Sequence, residues 1–401
     1  MSLLYNGECG ELKMKMNVAV FMGGKSTEHE ISCISASQVI KALDENKYEI
    51  IPVYIAKNND LYTGDALLDI SNFSDNIIDK LEKVCIYKDG TKVYVKPING
   101  MFKKAKAIDV AFEVVHGTNC EDGTLSGFLE MLDIPYTGSD VLGSALGQDK
   151  AIMKEVFEHE GINIVDWFYI LPNDYDLQET KKKAKKIGYP LIIKPANLGS
   201  SVGIEVIHNE DELEEKIKEC SKYDFKLVIE KMVTDMKEVN ISVMGSIFEQ
   251  KVSAIEEVYK EGEFLDFSNK YEKGSKGAKC AKGAKSSGSK GMASTCRKVP
   301  ADISEVQKGK VESMAVKAFK ALNAKGAVRI DFIIDNKTEE VYVNEINTIP
   351  GSLAFYLWSE VGIDFSKECD ELIQNALRMY REKQKKTYSF DTNILSNFKK
   401  R

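Results

Sequence analysis

Four polar residues in the last third of the chain are spaced as a metal and phosphate site requires. Arg329 and Asp331 are two residues apart in an apolar stretch, and so are Glu345 and Asn347. Side chains alternate along a strand, so each pair lies on one face, and the turn signal at 335–338 predicts a hairpin that brings the pairs together. Mg²⁺ prefers such oxygen ligands, completed by phosphate. An exposed, salt-bridged hairpin is the alternative, and the apolar flanking residues argue against it.

Two lysines and a Gly/Ser turn could hold the phosphates. Lys194 ends an apolar strand, where an ammonium group buried without a partner is costly. An anionic phosphate would supply that partner. The turn at 199–203 contains Ser200 and Ser201 and offers backbone N–H groups and hydroxyls to phosphate oxygens. Lys150 lies early in a predicted helix and adds a second positive charge.

A glycine turn near the N-terminus precedes a possible substrate-binding carboxylate. The turn at Gly23 and Gly24 is not a P-loop, because Ala19 occupies the position of the first required glycine. Glu28 follows this turn at the predicted start of a helix. Its carboxylate either complements the helix dipole or binds a substrate ammonium group, and the residues alone leave both interpretations open.

The elements that must position these residues begin with alternating strands and helices. Apolar runs separated by a helical pattern predict a parallel sheet covered on both faces. These elements are predicted at residues 17–22, 31–43, 48–55 and 110–115. Residues 60–107 predict a strand-rich insertion before the sheet resumes. His116 and Glu121 follow the last run, at the sheet edge where ligands bind, and we interpret both as functional.

The rest of the chain predicts helices and antiparallel strands. Helices are predicted at residues 145–161, 210–220, 304–322 and 365–381. Strands are predicted at residues 191–194, 204–207, 226–230, 238–244, 252–258, 327–334 and 340–346. Residues 273–291 contain Lys, Gly, Ala and Ser without an acidic residue. That composition predicts a disordered surface loop or a lid that brings positive charge to phosphates.

Composition excludes several classes of function. The chain has 401 residues, a net charge of -7 and a pI of about 5.5. An acidic protein is not attracted to nucleic acid or to an anionic membrane. Residues 1–15 predict an extension without the order of a signal peptide. The eight cysteines form no Cys-x-x-Cys pair, and such scattered cysteines are typical of reduced thiols in the cytoplasm.

Several motifs, taken in order, resemble one family. They are Gly-Gly-Lys-Ser-Thr-Glu-His-Glu-Ile-Ser from residue 23, His-Gly-x-x-x-Glu-Asp-Gly from residue 116, Ile-Ile-Lys-Pro from residue 192, Arg-Ile-Asp-Phe from residue 329 and Asn-Glu-Ile-Asn-Thr-Ile-Pro-Gly from residue 344. Over residues 16–383 the chain resembles the ATP-grasp ligases and, within them, the D-alanine–D-alanine ligases.

The resemblance implies an α/β fold and a reaction. The fold would have three domains: an N-terminal pre-ATP-grasp domain with the parallel sheet (16–138), a central ATP-grasp domain (139–228) and a C-terminal ATP-grasp domain (229–401) with a flexible loop at 269–297. ATP would phosphorylate the carboxylate of one D-alanine, and the amine of a second would displace phosphate, for peptidoglycan precursor synthesis. The family also implies two Mg²⁺ ions, with Mn²⁺ as a substitute, and a homodimer.

By the same resemblance, most site residues receive roles. Glu28, Ser200 and Tyr271 would form a triad that positions substrate, and Arg329 would stabilise the tetrahedral intermediate. His116 and Glu121 would line the substrate side. Asp331, Glu345 and Asn347 would bind the metal ions. The expected ATP-binding residues are Lys150, Lys194, Ser201, Glu230, Lys231, Val233, Glu238 and Lys270.

The chain departs from the family pattern where the second substrate should bind. Tyr356 stands where the family usually has a Ser that holds the second substrate's carboxylate, and Cys120 stands in place of a Gly. A tyrosine hydroxyl could replace that serine, or the pocket could accept D-serine, D-lactate or another amino acid. The pair Lys270 and Tyr271 resembles the dipeptide-forming enzymes and argues against D-lactate.

Overall fold

The computed structural model describes residues 15–73, 77–100, 104–199, 202–259, 296–392 and 394–398. Ser200, Ser201, Lys270, Tyr271, nearly all of the predicted extension and most of the predicted loop at 269–297 lie outside the described residues. Within the described ranges, no helix is both long and apolar enough to cross a membrane. Three sheets organise the described part of the chain.

The first sheet has seven strands. They are β1 (Met16–Gly23), β2 (Tyr48–Ile55), β3 (Leu61–Thr63), β4 (Glu82–Asp89), β5 (Lys92–Pro97), β6 (Lys106–Ile108) and β7 (Val110–Glu113). Their order is β6-β5-β4-β3-β2-β1-β7. Pairing is parallel for β1 with β2 and with β7, and antiparallel for the rest. The predicted insertion therefore extends the sheet with antiparallel strands. Parallel pairing is confined to β2, β1 and β7.

The core of the first sheet contains residues from both ends of the chain. Helix α1 (His29–Ala42) packs on β1. The C-terminal helix, Phe365–Gln384, places Leu372 and Ile373 in the same apolar core as Val20. Apolar burial of this kind is the main stabilising contribution in a soluble domain, and here it ties the last helix to the first strand.

The second sheet is antiparallel and carries two of the expected ATP-binding residues. Its strands are β8 (Trp167–Ile170), β9 (Leu191–Pro195), β10 (Glu205–Ile207) and β11 (Leu227–Lys231), in the order β10-β9-β11-β8. Helices α5 (Leu177–Ile187) and α6 (Leu213–Cys220) accompany it. The predicted domain boundary after residue 228 falls inside β11, and the boundaries stay predictions.

The third sheet is antiparallel, as the predicted hairpin implies. Its strands are β12 (Met236–Gly245), β13 (Gln250–Tyr259), β14 (Cys296–Lys298), β15 (Gly326–Asp335) and β16 (Val341–Asn347), in the order β14-β13-β12-β15-β16. Val328, Ile330 and Phe332 alternate with the polar residues of β15 and are fully buried in one core. Phe319 of the helix that precedes β15, Glu305–Ala321, belongs to the same core.

Four short helices connect the sheets, and one prediction among them is wrong. They are Thr124–Leu132, Val141–Gln148, Lys150–His159 and Phe355–Ser359. The single helix predicted at 145–161 is two helices. Asp149 has an extended backbone and its side chain accepts from Ala151 N and Ile152 N, so it ends one helix and caps the next. We name these helices α2, α3, α4 and α8, with Glu305–Ala321 as α7 and Phe365–Gln384 as α9. Short 3₁₀ turns occur at Asp65–Leu68, Ile70–Asn72, Ile77–Lys80, Glu210–Glu212, Gly351–Ala354 and Ile394–Phe398.

Candidate active site

A row of polar residues crosses the third sheet on one face. Glu256 of β13 lies opposite Asn240 of β12, Asn240 lies opposite Asp331 of β15, and Asp331 lies opposite Glu345 of β16. Opposite residues in an antiparallel sheet share a face, so four strands contribute one side chain each. Asn240 Nδ2 donates to Glu256 Oε1 over 3.1 Å, which joins the first two members. The apolar residues between them face the opposite core.

Arg329 and Asn347 form the next pair along this face. They lie opposite each other in the sheet. Arg329 Nε and Nη2 donate to the two carboxylate oxygens of Asp331 over 2.7 and 2.8 Å. Asn347 Nδ2 donates to Asp331 Oδ2 over 3.2 Å. Burial opposes the guanidinium charge, but Asp331 outweighs it and raises the pKa of Arg329. The four residues predicted from spacing therefore converge.

The oxygen donors on this face fit magnesium when phosphate completes the set. In the described ranges, no three His, Cys, Asp or Glu side chains are grouped closely enough to hold a metal by themselves. Asp331 and Glu345 supply two carboxylates, and the carbonyl oxygen of Asn347 supplies a third oxygen donor. Mg²⁺ typically takes one or two carboxylates from the protein, together with substrate phosphates and water.

Lys150, in the first turn of α4, approaches the carboxylate of Glu345, a predicted metal ligand. Its Nζ donates to Leu198 O over 2.7 Å and lies 3.9 Å from Glu345 Oε2. Its backbone N–H donates to Ala196 O, which fixes the start of the helix against the exit of β9. Burial lowers the pKa of Lys150, while Glu345 raises it and Lys194 lowers it further. Two predicted phosphate lysines and one predicted metal ligand thus share one electrostatic environment.

Lys194 has a protein partner that the sequence did not reveal. Its Nζ lies 2.6 Å from Glu230 Oε1 and donates to Asn344 Oδ1 over 3.4 Å. The sequence argument required an anionic partner for Lys194, and Glu230 meets that requirement within the fold. A phosphate is therefore not needed merely to explain the buried ammonium group.

Glu230 also pairs with a second buried lysine. Lys154 Nζ lies 2.9 Å from Glu230 Oε2, and Lys154 is 0% exposed. Burial favours the neutral carboxyl, but the two lysines outweigh it and lower the pKa of Glu230 to about 2. We call Lys154, Glu230 and Lys194 the lysine triad. Glu230, expected at the nucleotide, holds the two lysines with its side chain.

Two backbone N–H groups of the expected adenine-binding segment already donate hydrogen bonds within the protein. The N–H groups of Lys231 and Met232 donate to Asp166 O and Pro190 O. The ammonium group of Lys231 donates to Gly188 O and Tyr189 O over 2.8 and 3.2 Å. Each N–H has a single proton, so neither of these two backbone groups can also donate to a base. The expectation for Val233 and for Glu238 stays a prediction.

Two residues tie the loop after β7 to the end of β16. Glu121 accepts from Gly117 N over 2.7 Å and from Ile349 N over 3.2 Å. His116 Nδ1 donates to Ile349 O over 2.8 Å, and its Nε2 lies 2.8 Å from Ser35 Oγ. Both ring nitrogens of His116 are therefore engaged. This loop is fixed beside Asn347, and the predicted contact of His116 and Glu121 with substrate stays a prediction.

The electrostatics of this loop involve Glu28. Burial and, next to it, the charge of Glu28 raise the pKa of Glu121 to about 8. Burial lowers the pKa of His116, while Glu28 raises it. Glu28 directly precedes α1, and its side chain makes no capping bond. A Cβ at Gly117 would lie 3.2 Å from Glu28 Oε2, so the carboxylate rests on this loop instead of capping the helix.

Tyr356 belongs to a second buried group of charge. Its hydroxyl donates to Glu256 Oε1 over 2.8 Å. Arg297 lies over the Tyr356 ring at 4.2 Å from the centroid and 3.3 Å from Glu256 Oε2. Burial and then Glu256 raise the pKa of Tyr356. We call Asn240, Glu256, Arg297 and Tyr356 the tyrosine cluster. The tyrosine proton is committed to Glu256, so the hydroxyl is not a spare donor for a carboxylate.

Sequence reasoning missed Lys154, Glu256 and Arg297, although two of them carried a signal. Lys154 lies four residues after Lys150 and therefore on the same side of a helix. Glu256 is an acidic residue inside the strand predicted at 252–258, directly after the apolar Ile255. No local signal marks Arg297, whose partners come from distant strands.

Comparison with known proteins gives a consistent picture. The family model described as D-ala D-ala ligase N-terminus matches residues 17–139, and that described as D-ala D-ala ligase C-terminus matches residues 156–374. The chain is 40% identical over 383 residues to the D-alanine--D-alanine ligase of Thermosipho melanesiensis, covering 95% of this chain and 98% of the relative.

Solved structures are similar over most of their length. The D-alanine-D-alanine ligase from Coxiella burnetii has a TM-score of 0.76 and 29% identity, covering 92% of this chain and 96% of that one. VanG D-Ala:D-Ser ligase from Enterococcus faecalis has a TM-score of 0.72 and 28% identity, covering 90% and 100%. D-alanine--D-alanine ligase from Bacillus anthracis complexed with ATP has a TM-score of 0.64 and 26% identity, covering 92% and 99%.

Proposed function

The chain belongs to the D-alanine–D-alanine ligase family, and we propose that it joins two D-alanines for peptidoglycan precursor synthesis. A carboxylate oxygen of the first D-alanine attacks the γ-phosphorus of ATP, and ADP leaves. The amine of the second D-alanine attacks the acyl carbon of the resulting acylphosphate and loses a proton, and phosphate leaves. The convergence of Arg329, Asp331, Glu345 and Lys150 on one sheet face is the observation that carries this proposal.

The nucleotide end would bind phosphate with lysines. Lys194 lies at the exit of β9 beside Glu230, and Lys150 lies beside Glu345. Ammonium groups in a water-poor site attract phosphate more strongly than they would in bulk water. We place ATP here, with the turn at 199–203 and Lys270 as further predicted contacts.

Asp331, Glu345 and Asn347 would hold two Mg²⁺ ions, and Mn²⁺ is an expected substitute. Magnesium supplies neutralisation of phosphate charge and orientation of the transferred group. The protein's part is to present these oxygens at the end of a rigid hairpin, with Asp331 held in place by Arg329 and Asn347.

Arg329 would act at the acyl carbon. Its guanidinium is fixed by two hydrogen bonds to Asp331, so it requires little reorganisation when negative charge develops on the tetrahedral oxygen. Prearranged positive charge of this kind lowers the barrier of acyl transfer. Glu28 would hold the ammonium group of the first D-alanine, as part of the predicted triad with Ser200 and Tyr271.

The choice of acceptor belongs to the region of Tyr356. We propose D-alanine, with D-serine or D-lactate as the alternatives to be measured. Ligation in the presence of ATP, D-alanine and each acceptor in turn, followed by mass spectrometry, identifies the product. A mixed product formed in preference to the D-alanine dimer would require a different acceptor.

Two further proposals concern assembly and location. We propose a homodimer, as the family resemblance implies, and light scattering at several protein concentrations checks it. We also propose a cytoplasmic location. Cys33, Cys85, Cys120, Cys220 and Cys369 are free thiols, which is typical of a reducing compartment.

Phosphate release tests the reaction directly. With ATP and Mg²⁺, the purified protein should release phosphate only when D-alanine is added, with one dipeptide formed per phosphate. Glu345→Gln should abolish turnover while the fold survives, and Glu340→Gln, an exposed residue on the same hairpin, is the matched control. ATP turnover without the dipeptide would refute the proposal.

A further inference from the structure

A lysine that cannot reach a ligand lies next to the proposed phosphate site. Lys154 is 0% exposed, and its ammonium group pairs with Glu230 over 2.9 Å. It also lies 6.0 Å from the centroid of the Trp167 ring. Lys150, one helical turn earlier, has its ammonium group near Glu345. Lys154 therefore acts on the site through other residues or has no part in it.

The charges in the lysine triad do not balance. Lys194 lies 2.6 Å from one oxygen of Glu230, and Lys154 lies 2.9 Å from the other. One carboxylate thus faces two ammonium groups, and all three side chains are almost completely buried. Buried charge is costly unless it is compensated. Glu345 also acts on Lys154, but it lies 3.9 Å from the ammonium group of Lys150, so the positive charges here still outnumber the carboxylates by one and favour a further anion.

Stability alone does not explain this arrangement. An apolar residue at position 154 would leave Glu230 and Lys194 as a neutral pair. Exchanging buried ionic groups for apolar ones is often neutral or stabilising, so a second buried lysine beside one carboxylate indicates another role. The position of Lys194 at the exit of β9, beside the loop that Lys150 contacts, indicates what that role is.

We infer that Lys154 is a positioning residue for nucleotide phosphate: it shares the negative charge of Glu230, and Lys194 thereby keeps positive charge for the phosphate. Without Lys154, Glu230 would neutralise Lys194 and hold it away from the ligand. The inference rests on the proposed function, because it takes ATP as the source of the phosphate. Lys154 itself touches no substrate atom.

The effect should depend on phosphate, not on the base. In the full-length protein with Mg²⁺, Lys154→Met should weaken the binding of ATP and ADP by about tenfold or more, because a buried charge is poorly screened. The affinity for adenosine should stay unchanged. Lys154→Arg should keep most of the ATP affinity. Isothermal titration calorimetry measures each dissociation constant.

A matched control separates this effect from a general loss of charge. Lys216 lies in α6, beside the second sheet, and pairs with Glu205 over 3.0 Å and with Glu219 over 2.9 Å, but it is partly exposed. Lys216→Met should leave ATP and adenosine binding unchanged. An equal loss of ATP and adenosine binding in Lys154→Met would show a structural role and overturn the inference, as would no loss of ATP binding.

A double variant tests the charge argument itself. Lys154→Met with Glu230→Gln removes one charge of each sign and leaves Lys194 unopposed. ATP affinity should recover to within about threefold of the original protein, since the net charge near the phosphate is restored. If Lys154→Met does not fold, the double variant and Lys154→Arg still test the inference. Weak ATP binding in both of these variants, with normal adenosine binding, would overturn it. These measurements do not require dipeptide formation, so failure of the proposed ligation is detected separately.

Discussion

The lysine triad, at the second sheet, and the tyrosine cluster, at the third, are both buried charged groups, but their charges differ in balance. In the triad, Glu230 faces Lys154 and Lys194. In the cluster, Glu256 faces Arg297, and its other partners, Tyr356 and Asn240, are neutral donors. The triad keeps a surplus charge that can bind an anion, whereas the cluster has matched charges.

This difference in charge balance separates residues that bind a ligand from residues that fix the position of a neighbouring side chain. A matched buried pair has its charge compensated within the fold, so the cluster is suited to fixing the position of Tyr356. The unmatched triad is suited to a ligand. In our interpretation Tyr356 therefore supports the acceptor region. Its hydroxyl already donates to Glu256, so it has no proton left for the predicted bond to a substrate carboxylate.

The backbone differs between the two regions as well. Lys194 and Glu230 lie within regular strands. The segment before Tyr356 has left-handed backbone at Ser352, Leu353 and Ala354, with φ of 51°, 55° and 57°. Non-glycine residues in this conformation are strained, and strain of this kind is common at ligand sites. Ser352 N donates to Ser35 Oγ over 3.0 Å, which helps to hold the turn.

The largest effect should come from removing the carboxylate at the centre of the triad. Glu230→Gln leaves two buried ammonium groups without a counter-charge, and the free energy of unfolding should fall by about 3 kcal/mol. Urea denaturation at neutral pH measures it. Glu205→Gln, which breaks a surface pair with Lys216, should cost less than about 1 kcal/mol. Equal losses in the two variants would contradict the comparison.

The same variant should change the response to acid. The pKa of Glu230 is lowered from 4.5 to about 2. Its ionised form therefore stabilises the folded state above pH 4.5, and this contribution is lost as the pH falls towards 2. The original protein should lose more stability over that interval than Glu230→Gln does.

Arg329 lies between the two regions and should be essential for catalysis. Arg329→Ala should lower kcat by about 100- to 1000-fold, the range found when a prearranged oxyanion donor is removed. Circular dichroism should show an intact fold. Arg378, in an exposed pair with Glu249, provides the control substitution to Ala. Near-normal turnover of Arg329→Ala would contradict its assignment.

Tyr356→Phe should have a smaller effect. If the hydroxyl mainly serves Glu256, the KM for the acceptor D-alanine should rise less than about threefold. Loss of a direct bond to the substrate carboxylate would raise it by about 10- to 100-fold, and that result would restore the direct role. Tyr356→Ala, which also removes the ring beneath Arg297, should be more damaging than Tyr356→Phe.

The smallest effect should come from relieving backbone strain. Ala354→Gly removes a buried methyl group but relaxes a left-handed residue, and these opposing terms of about 1 kcal/mol each should nearly cancel. Ala354→Val should destabilise strongly, because a β-branched residue is poorly tolerated at positive φ. Thermal unfolding compares them, and equal losses would argue against strain at this position.

The sequence predicted the part of the site that lies on regular strands. Alternation put Arg329 and Asp331 on one face, and the hairpin signal brought Glu345 and Asn347 beside them, as the structure has them. Alternation is a property of the local backbone, so it can be read without knowing the fold. The break at Asp149 was missed, because periodicity alone does not show that an acidic residue caps a second helix.

By itself, then, the sequence determined the strands, the polar face of the hairpin and the family resemblance. Only the tertiary structure decided which charges are compensated. Lys154 meets Glu230 across two elements, and Glu256 meets Arg297 and Tyr356 across three. The energy of a buried charge depends on its distance to every neighbouring charge and on its access to water, and neither quantity is set by positions along the chain.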